Sequence, residues 1–562
     1  MPRFDSDFLF GSLLDEEKGG EFSIRPVDSR AESHQYYLPN TNILATEFVM
    51  SDGSRFRVLD YAPRFLQVSR AFKPLMLFRK IELLNGAPQI KIVCTPTHHY
   101  GQHKAEVSEG SNHLRFLGYN DQVRLTTDVP LAYIKEEKEF VLTQNKYLCF
   151  SYGIPLEAPL AETAEEFLFK TTQYWQKWVK SMSISQLYQE QVIRSGLVLK
   201  LHQYEDTGGI IAAGTTSLPE FPGSTRNWDY RYCWMRDTYY TLNALNSIGH
   251  FEESEKYFEY IVNIIRKESN RIQPLFSITG EHKLTEIEIP LSGYLGNTPV
   301  RIGNDAFTHI QNDVYGQVLA SILPMYIDAR LVHLGRLDHE NIRQLMRLIS
   351  KTMEEKDAGI WEFRNLSQHH TYTYLFHWAG AKAAKRIAIF TKDEAMQQEA
   401  EVLMDKAASY IERAYDPERK AYMQAVDSKH LDASCLQLIT MHYLDPSSEK
   451  AQLHLQAMEK ELMSDNGLFY RYVHKDDFGL PETTFLVCSF WYVEALACVG
   501  RVDDAVKTLD RVIQHANHLN LFSEDVGVDG SQWGNFPQTY SHVGLMNAVY
   551  RISAKQDHPT FY

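Results

Sequence analysis

Period-two alternation dominates the first quarter of the chain. Thr46, Phe48 and Met50 fall on one face, Ser51-Asp52-Gly53-Ser54 makes a turn, and Phe56, Val58 and Asp60 resume the alternation, which is the pattern of a β-hairpin. Ile81 and Leu83, then Asn85-Gly86, then Ile90, Ile92 and Cys94 predict a second hairpin, and further short strands are expected at 131–134 and 140–150. Residues 1–158 therefore predict an antiparallel β-sandwich. After Pro159 the apolar period changes to the helical one, and Phe167, Tyr174, Trp175 and Trp178 mark residues 159–182 as a helical linker. From 183 to 562 the pattern is helical throughout. Ile193, Leu197 and Leu201 repeat every fourth residue, and Val502, Ala505, Val506, Leu509, Val512, Ile513 and Ala516 form one stripe. Residues 485–499, by contrast, are apolar on nearly every side, so that helix must be covered all round. Amphipathic helices alternating with wholly apolar ones over a region this large predict two concentric layers, an α/α barrel. The fold class is thus a multidomain β + α chain with the barrel at 183–562.

Four long polar and aromatic stretches interrupt the helices, at 208–236, 285–311, 357–373 and 521–538, and loops of that length in a compact domain are where chemistry is expected. The first runs Arg226-Asn227-Trp228-Asp229-Tyr230-Arg231-Tyr232-Cys233-Trp234-Met235-Arg236-Asp237. Directional Arg and Asp hydrogen bonds beside flat rings match an array of sugar hydroxyls, although a salt-bridge cluster between domains draws on the same residue types. The second places Glu362 beside Trp361 in an apolar segment, where desolvation raises a carboxyl pKa and makes a general acid; pairing with Arg364 is its structural alternative. The third, Ser523-Glu524-Asp525 ahead of Gly534-Asn535-Phe536, offers a carboxylate expected to stay ionised and activate water, with Asp525 competing for that role.

Charge and composition narrow the field. A net charge of −15 and a pI near 5.8 leave no polyanion-binding surface, so nucleic acid is excluded as a partner. No apolar run is long enough to span a bilayer, and Met1-Pro2-Arg3-Phe4-Asp5-Ser6 has no basic or apolar leader character, which predicts a cytoplasmic protein without membrane contact. The 6 cysteines are scattered inside apolar runs, as in a reducing compartment. His98-His99 and His369-His370 lack ligand spacing, so neither a metal nor another cofactor is expected. Nothing in the pattern sets the oligomeric state.

These segments resemble glycoside hydrolase family 15, the glucoamylase-like family that also contains trehalases. The resemblance rests on Phe4-Asp5-Ser6, Gly19-Gly20, Thr215 to Glu220, Asn227 to Asp237, Gly359 to Arg364, Cys488-Ser489-Phe490-Trp491 and Gly534 to His542, in order over nearly the whole chain. It implies an N-terminal β-sandwich, an (α/α)6 barrel, and an exo-acting inverting α-glucosidase that releases β-glucose from an α-glucan oligosaccharide or disaccharide. It further implies Glu362 as general acid and Glu524 as general base, with Trp228, Asp229, Arg236, Asp237, Gln311, Asp313, Trp361 and Arg364 around the sugar. A trehalase of the same family is the alternative activity, followed by an inverting phosphorylase and a non-catalytic glucan-binding protein.

Overall fold

The computed structural model describes residues 2–68, 70–268, 270–331 and 339–556. They fall into two compact units, one of residues 1–182 with 289–300 and one of residues 183–288 with 301–562.

The first unit holds an eight-stranded antiparallel sheet, in spatial order Glu106–Glu109, His113–Leu117, Val123–Thr127, Lys146–Tyr152, Met76–Asn85, Arg55–Tyr61, Leu44–Val49 and Glu32–Tyr37. Facing it, Gln89–Thr95 is flanked by Glu21–Pro26 and Phe140–Val141. Phe56, Val58, Ile81, Leu125, Leu148 and Phe150 of the large sheet share one core with Ile24, Ile90 and Ile92 of the small one, which makes this a β-sandwich. The first hairpin forms as its alternation predicts, with Phe48 opposite Phe56 and their rings stacked at 4.8 Å. The second does not. Met76–Asn85 lies in the large sheet and Gln89–Thr95 in the small one, so Gly86-Ala87-Pro88 carries the chain across the core instead of pairing the two strands. Both strands aim alternate apolar residues at the same core from opposite sides, and period-two patterning cannot tell a hydrogen-bonded neighbour from a facing sheet. The strand expected at 131–134 is also corrected: Leu131–Lys135 is a single helical turn entered through Pro130 at φ −53. The helix Leu160–Lys180 clusters with the sandwich, where the Tyr61 hydroxyl donates to the Ala164 carbonyl at 2.6 Å and Phe167 packs edge-on against Phe78 at 5.8 Å. Residues 289–300, which the pattern placed in the barrel, belong to this unit as well, held by the Ser292 N–H on Asp15 at 3.0 Å.

Twelve α-helices are described in the second unit: α1 (Gln189–His202), α2 (Thr238–Ser247), α3 (Phe251–Lys267), α4 (Asp313–Ile327), α5 (His339–Thr352), α6 (Thr371–Thr391), α7 (Glu394–Arg413), α8 (Gln437–Thr440), α9 (Glu449–Leu462), α10 (Leu486–Cys498), α11 (Val502–Ile513) and α12 (Thr539–Lys555). The even-numbered helices form an inner ring that closes where α12 packs on both α10 and α2, and the odd-numbered ones cover it from outside, an (α/α)6 barrel. Their sequences fit these places. Every residue of α10 is buried, whereas α11 buries the stripe Ala505, Leu509 and Val512. In α1 the expected stripe holds only at Leu197. Leu201 is 40% exposed, and the buried side instead includes Val192, Ser195 and Leu199, because adjacent apolar pairs allowed two faces to be drawn. All six cysteines are buried and unbridged, and no helix among the described residues is long and apolar enough to cross a membrane.

Glycines let two inner helices approach closely. A β-carbon on Gly316 of α4 would lie 1.9 Å from the Phe376 carbonyl oxygen of α6, and one on Gly380 would lie 2.6 Å from the Gly316 Cα. Alanine gains about 1 kcal/mol in helix propensity over glycine, but overpacking backbone against backbone costs more. Gly316→Ala is expected to lower the unfolding free energy by about 3 kcal/mol, measured by denaturant titration.

Candidate active site

Five loops, each leading into an inner helix, converge on one cavity in the barrel unit. Residues 212–236 lead into α2, 304–309 into α4, 360–364 into α6, 471–485 into α10 and 524–538 into α12. Arg236 and Asp237 occupy the short 3-10 turn that opens α2, so a helix start fixes their positions.

Glu362 sits in a turn that starts at Gly359, both residues having positive φ (61° and 66°). A β-carbon at Gly359 would strike the His370 ring at 2.8 Å, so only glycine fits there. At position 362 the left-handed backbone is strained for a side-chain-bearing residue and is held by the bonds its carboxylate makes. The Trp234 indole N–H donates to Glu362 Oε1 at 2.7 Å, and Arg236 donates to the same oxygen at 3.0 Å and to the Ile360 carbonyl at 2.8 Å. Burial pushes the Glu362 pKa up, but Arg236, His309, the Trp234 N–H and Gln311 together outweigh it and hold the group below its ordinary value. The expected elevation is therefore reversed in the substrate-free site: the neighbouring Trp361 supplies burial, while a cation brought by another loop decides the sign.

Glu524 is 2% exposed and accepts the Tyr230 hydroxyl at 2.8 Å. Glu220 and Asp525, also buried, bring oxygens to within 4.8 Å of it. Arg471 pairs with Glu220, and Arg226 stands 3.8 Å from the same carboxylate. Thr483 donates to Asp525 at 3.2 Å. Burial first, then the charge of Glu220, push the Glu524 pKa up, and the same two causes raise that of Asp525. The expectation that Glu524 sits ionised in a polar loop is thus corrected: its loop is polar in sequence and buried in the fold. The spacing of the three carboxylates would suit a divalent cation, although Arg471 and Arg226 already bring positive charge to Glu220.

The two carboxylates are mounted on neighbouring rings of one loop. Tyr230 holds Glu524, Trp234 holds Glu362, and the rings meet edge to face at 5.3 Å. Ring widths therefore hold the acids apart across a shared cavity.

Of the residues expected around a sugar, Trp228, Arg236, Asp237, Trp361 and Arg364 line this cavity together with Glu362 and Glu524. Trp361 is oriented by donating its indole N–H to Asp432 at 2.9 Å. Asp237 lies 3.6 Å from Arg236, with its pKa pushed up to about 6 by burial. Asp229, Gln311 and Asp313 are not brought to the cavity wall. Asp229 is fully buried, with Arg231 at 2.7 Å and the Gly303 N–H at 3.2 Å, so it fastens the loop from within. Asp313 accepts from Gln317 at 2.8 Å inside α4, and Gln311 stands behind Glu362. Glu220, Tyr230, Trp234, His309 and Tyr540 line the cavity without having been assigned a role there, as do Arg471, Asp476, Asp477, Phe478 and Phe485 of the fifth loop. That loop carried the same signal as the other four, since Tyr472 to Leu480 is dense in aromatic, charged and turn residues.

Comparison with known proteins places the chain in a family. The family model "Glycosyl hydrolases family 15" matches residues 186–550, and "Trehalase-like, N-terminal" matches residues 1–138. Similar relatives include a trehalase of Thermoplasma volcanium, 33% identical over 98% of this chain and 89% of that protein. A trehalase of Thermoplasma acidophilum is 31% identical over 98% and 96%, and one of Mycobacterium tuberculosis is 30% identical over 98% and 85%. Among solved structures, a bacterial glucoamylase complexed with acarbose shares the fold, with a TM-score of 0.67 and 15% identity over 98% of this chain and 90% of that one. A sandwich ahead of an (α/α)6 barrel and a family match over most of the chain make this protein an enzyme of glycoside hydrolase family 15.

Proposed function

We propose that the protein hydrolyses α,α-trehalose to two glucose molecules with inversion at one anomeric carbon. The observation that carries this reading is the pair Glu362 and Glu524, facing one cavity and each fixed by a ring donor of the same loop. The trehalase relatives favour the α,α-1,1 bond over the α-glucan bond that the sequence put first. Glu362 gives its proton to the glycosidic oxygen as the C–O bond breaks. Glu524 takes a proton from a water on the opposite face, and that water's oxygen becomes the new β-anomeric hydroxyl. Arg236 and Asp237 grip the hydroxyls of the cleaved ring.

Protonation states must be set before the step. Substrate entry dries the cavity, strengthening the burial that already raises the Glu362 pKa. Sugar hydroxyls that draw the Arg236 N–H groups away weaken the interaction that lowers it, and the acid gains its proton. In the carboxylate cluster three acids face two arginines, so one proton is retained. We place it on Asp525, which does not line the cavity, leaving the negative charge on Glu524, where the Tyr230 O–H stabilises it. This also favours Glu524 over Asp525 as base, because Glu524 lines the cavity and Asp525 does not.

Glucose release from trehalose, maltose, isomaltose and maltotriose, with the first anomer read by NMR, tests the reading. Trehalose turnover giving one β- and one α-glucose per event is expected. Preferential maltose turnover would restore the glucoamylase reading, and glucose 1-phosphate formed only with phosphate would replace hydrolysis by phosphorolysis.

A further inference from the structure

We propose that the turn Asp476-Asp477-Phe478-Gly479 sets substrate length, admitting two sugar rings and shutting out a continuing glucan; this rests on the trehalase reading of the site. The turn closes on itself, with the Asp476 N–H donating to the Gly479 carbonyl at 3.0 Å and the reverse bond at 3.3 Å. It is also tied to two other cavity loops. Asp477 Oδ2 accepts the backbone N–H groups of Arg364 at 2.5 Å and Asn365 at 3.1 Å, just beyond Glu362. Asp476 pairs with Arg226, in the loop that carries Trp228. Between these anchors the Phe478 ring packs edge-on against Trp228 at 5.3 Å, with the Arg226 and Arg364 guanidinium carbons 5.3 and 5.4 Å from its centroid.

Trp228 is part of the same wall. Arg364 and Arg301 stand 4.5 and 4.6 Å from its ring, so the indole the sequence offered as a sugar platform is engaged by two cations and a phenylalanine edge. Burial places the wall at the mouth. Glu524 and Asp237 are 2% and 7% exposed, deep in the barrel, whereas Asp477 and Arg364 are exposed. Three loops joined by carboxylate-to-amide bonds and ring–guanidinium contacts form a stiff rim. A disaccharide with two non-reducing ends can lie wholly within it, whereas a third ring must part it.

The test compares kcat/KM on trehalose, maltose and maltotriose for the native protein, Asp477→Ala, which removes the carboxylate that accepts the Arg364 and Asn365 amides, and Phe478→Gly, which removes the ring. The native protein is expected to favour trehalose over maltotriose by about 100-fold or more, and both variants are expected to raise the maltotriose-to-trehalose ratio by about tenfold. An unchanged ratio in both, with trehalose still cleaved, overturns the proposal. Failure of the underlying reading shows in the native protein alone, as silence on trehalose. If Phe478→Gly loses its native circular dichroism, Asp477→Ala decides.

Discussion

Glu362→Gln is expected to lower kcat on trehalose by about a thousandfold while KM stays within a few-fold, because the amide keeps the shape of the side chain and cannot supply a proton. The Trp234 N–H and the Arg236 donor at 3.0 Å both reach Oε1, and the Gln carbonyl oxygen can accept from them, so the turn at positive φ keeps its supports. α-Glucosyl fluoride separates a lost proton from a distorted pocket. Fluoride leaves without protonation, so the variant should retain most of its rate on that substrate. Equal losses on both substrates would remove Glu362 from the role of acid.

Glu524→Gln should abolish turnover to a similar degree and, at the same time, stabilise the fold above neutral pH. Glu524 is buried among Glu220 and Asp525, and its folded pKa lies above the ordinary carboxyl value of 4.5. A carboxyl with a raised folded pKa binds more protons in the native than in the unfolded state, so its contribution to stability falls as pH rises from that value through the folded pKa. Glutamine carries no such charge and can still accept the Tyr230 hydroxyl, while Arg471 keeps Glu220 as its partner. The unfolding free energy of the variant, measured by denaturant titration, should exceed that of the native protein by a margin that widens between about pH 5 and pH 8, reaching about 1–2 kcal/mol at the upper end. A margin that is flat with pH would show that the cluster does not hold charge under strain.

Much of the site could be read from local sequence. The Arg226 to Asp237 segment, Glu362 beside Trp361, and the Glu524-Asp525 pair each concentrate hydrogen-bonding and aromatic groups in a loop, and the structure brings all three to one cavity. The first hairpin and the contrast between α10 and α11 were equally legible, since period and amphipathicity are properties of neighbouring residues. What failed depended on partners distant in the chain. Arg236 lies 126 residues from Glu362 and reverses the sign of its pKa shift, and Glu220 is remote from Glu524 yet keeps it from behaving as a solvated carboxylate.

The sequence by itself determined most of the strands and helices, that the helices divide into exposed and enclosed layers, and four of the loops that line the cavity. Those properties follow from where apolar atoms recur along the backbone. Only the tertiary structure decided that residues 85–89 cross between sheets, that Asp229 and Asp313 are buried away from the cavity wall, and that two arginines stand over the Trp228 ring at the rim. It also decided the charge states of the two acids. A carboxyl pKa is set by burial and by whichever charges the fold places within a few ångströms, and that distance exists only once the chain has closed its barrel.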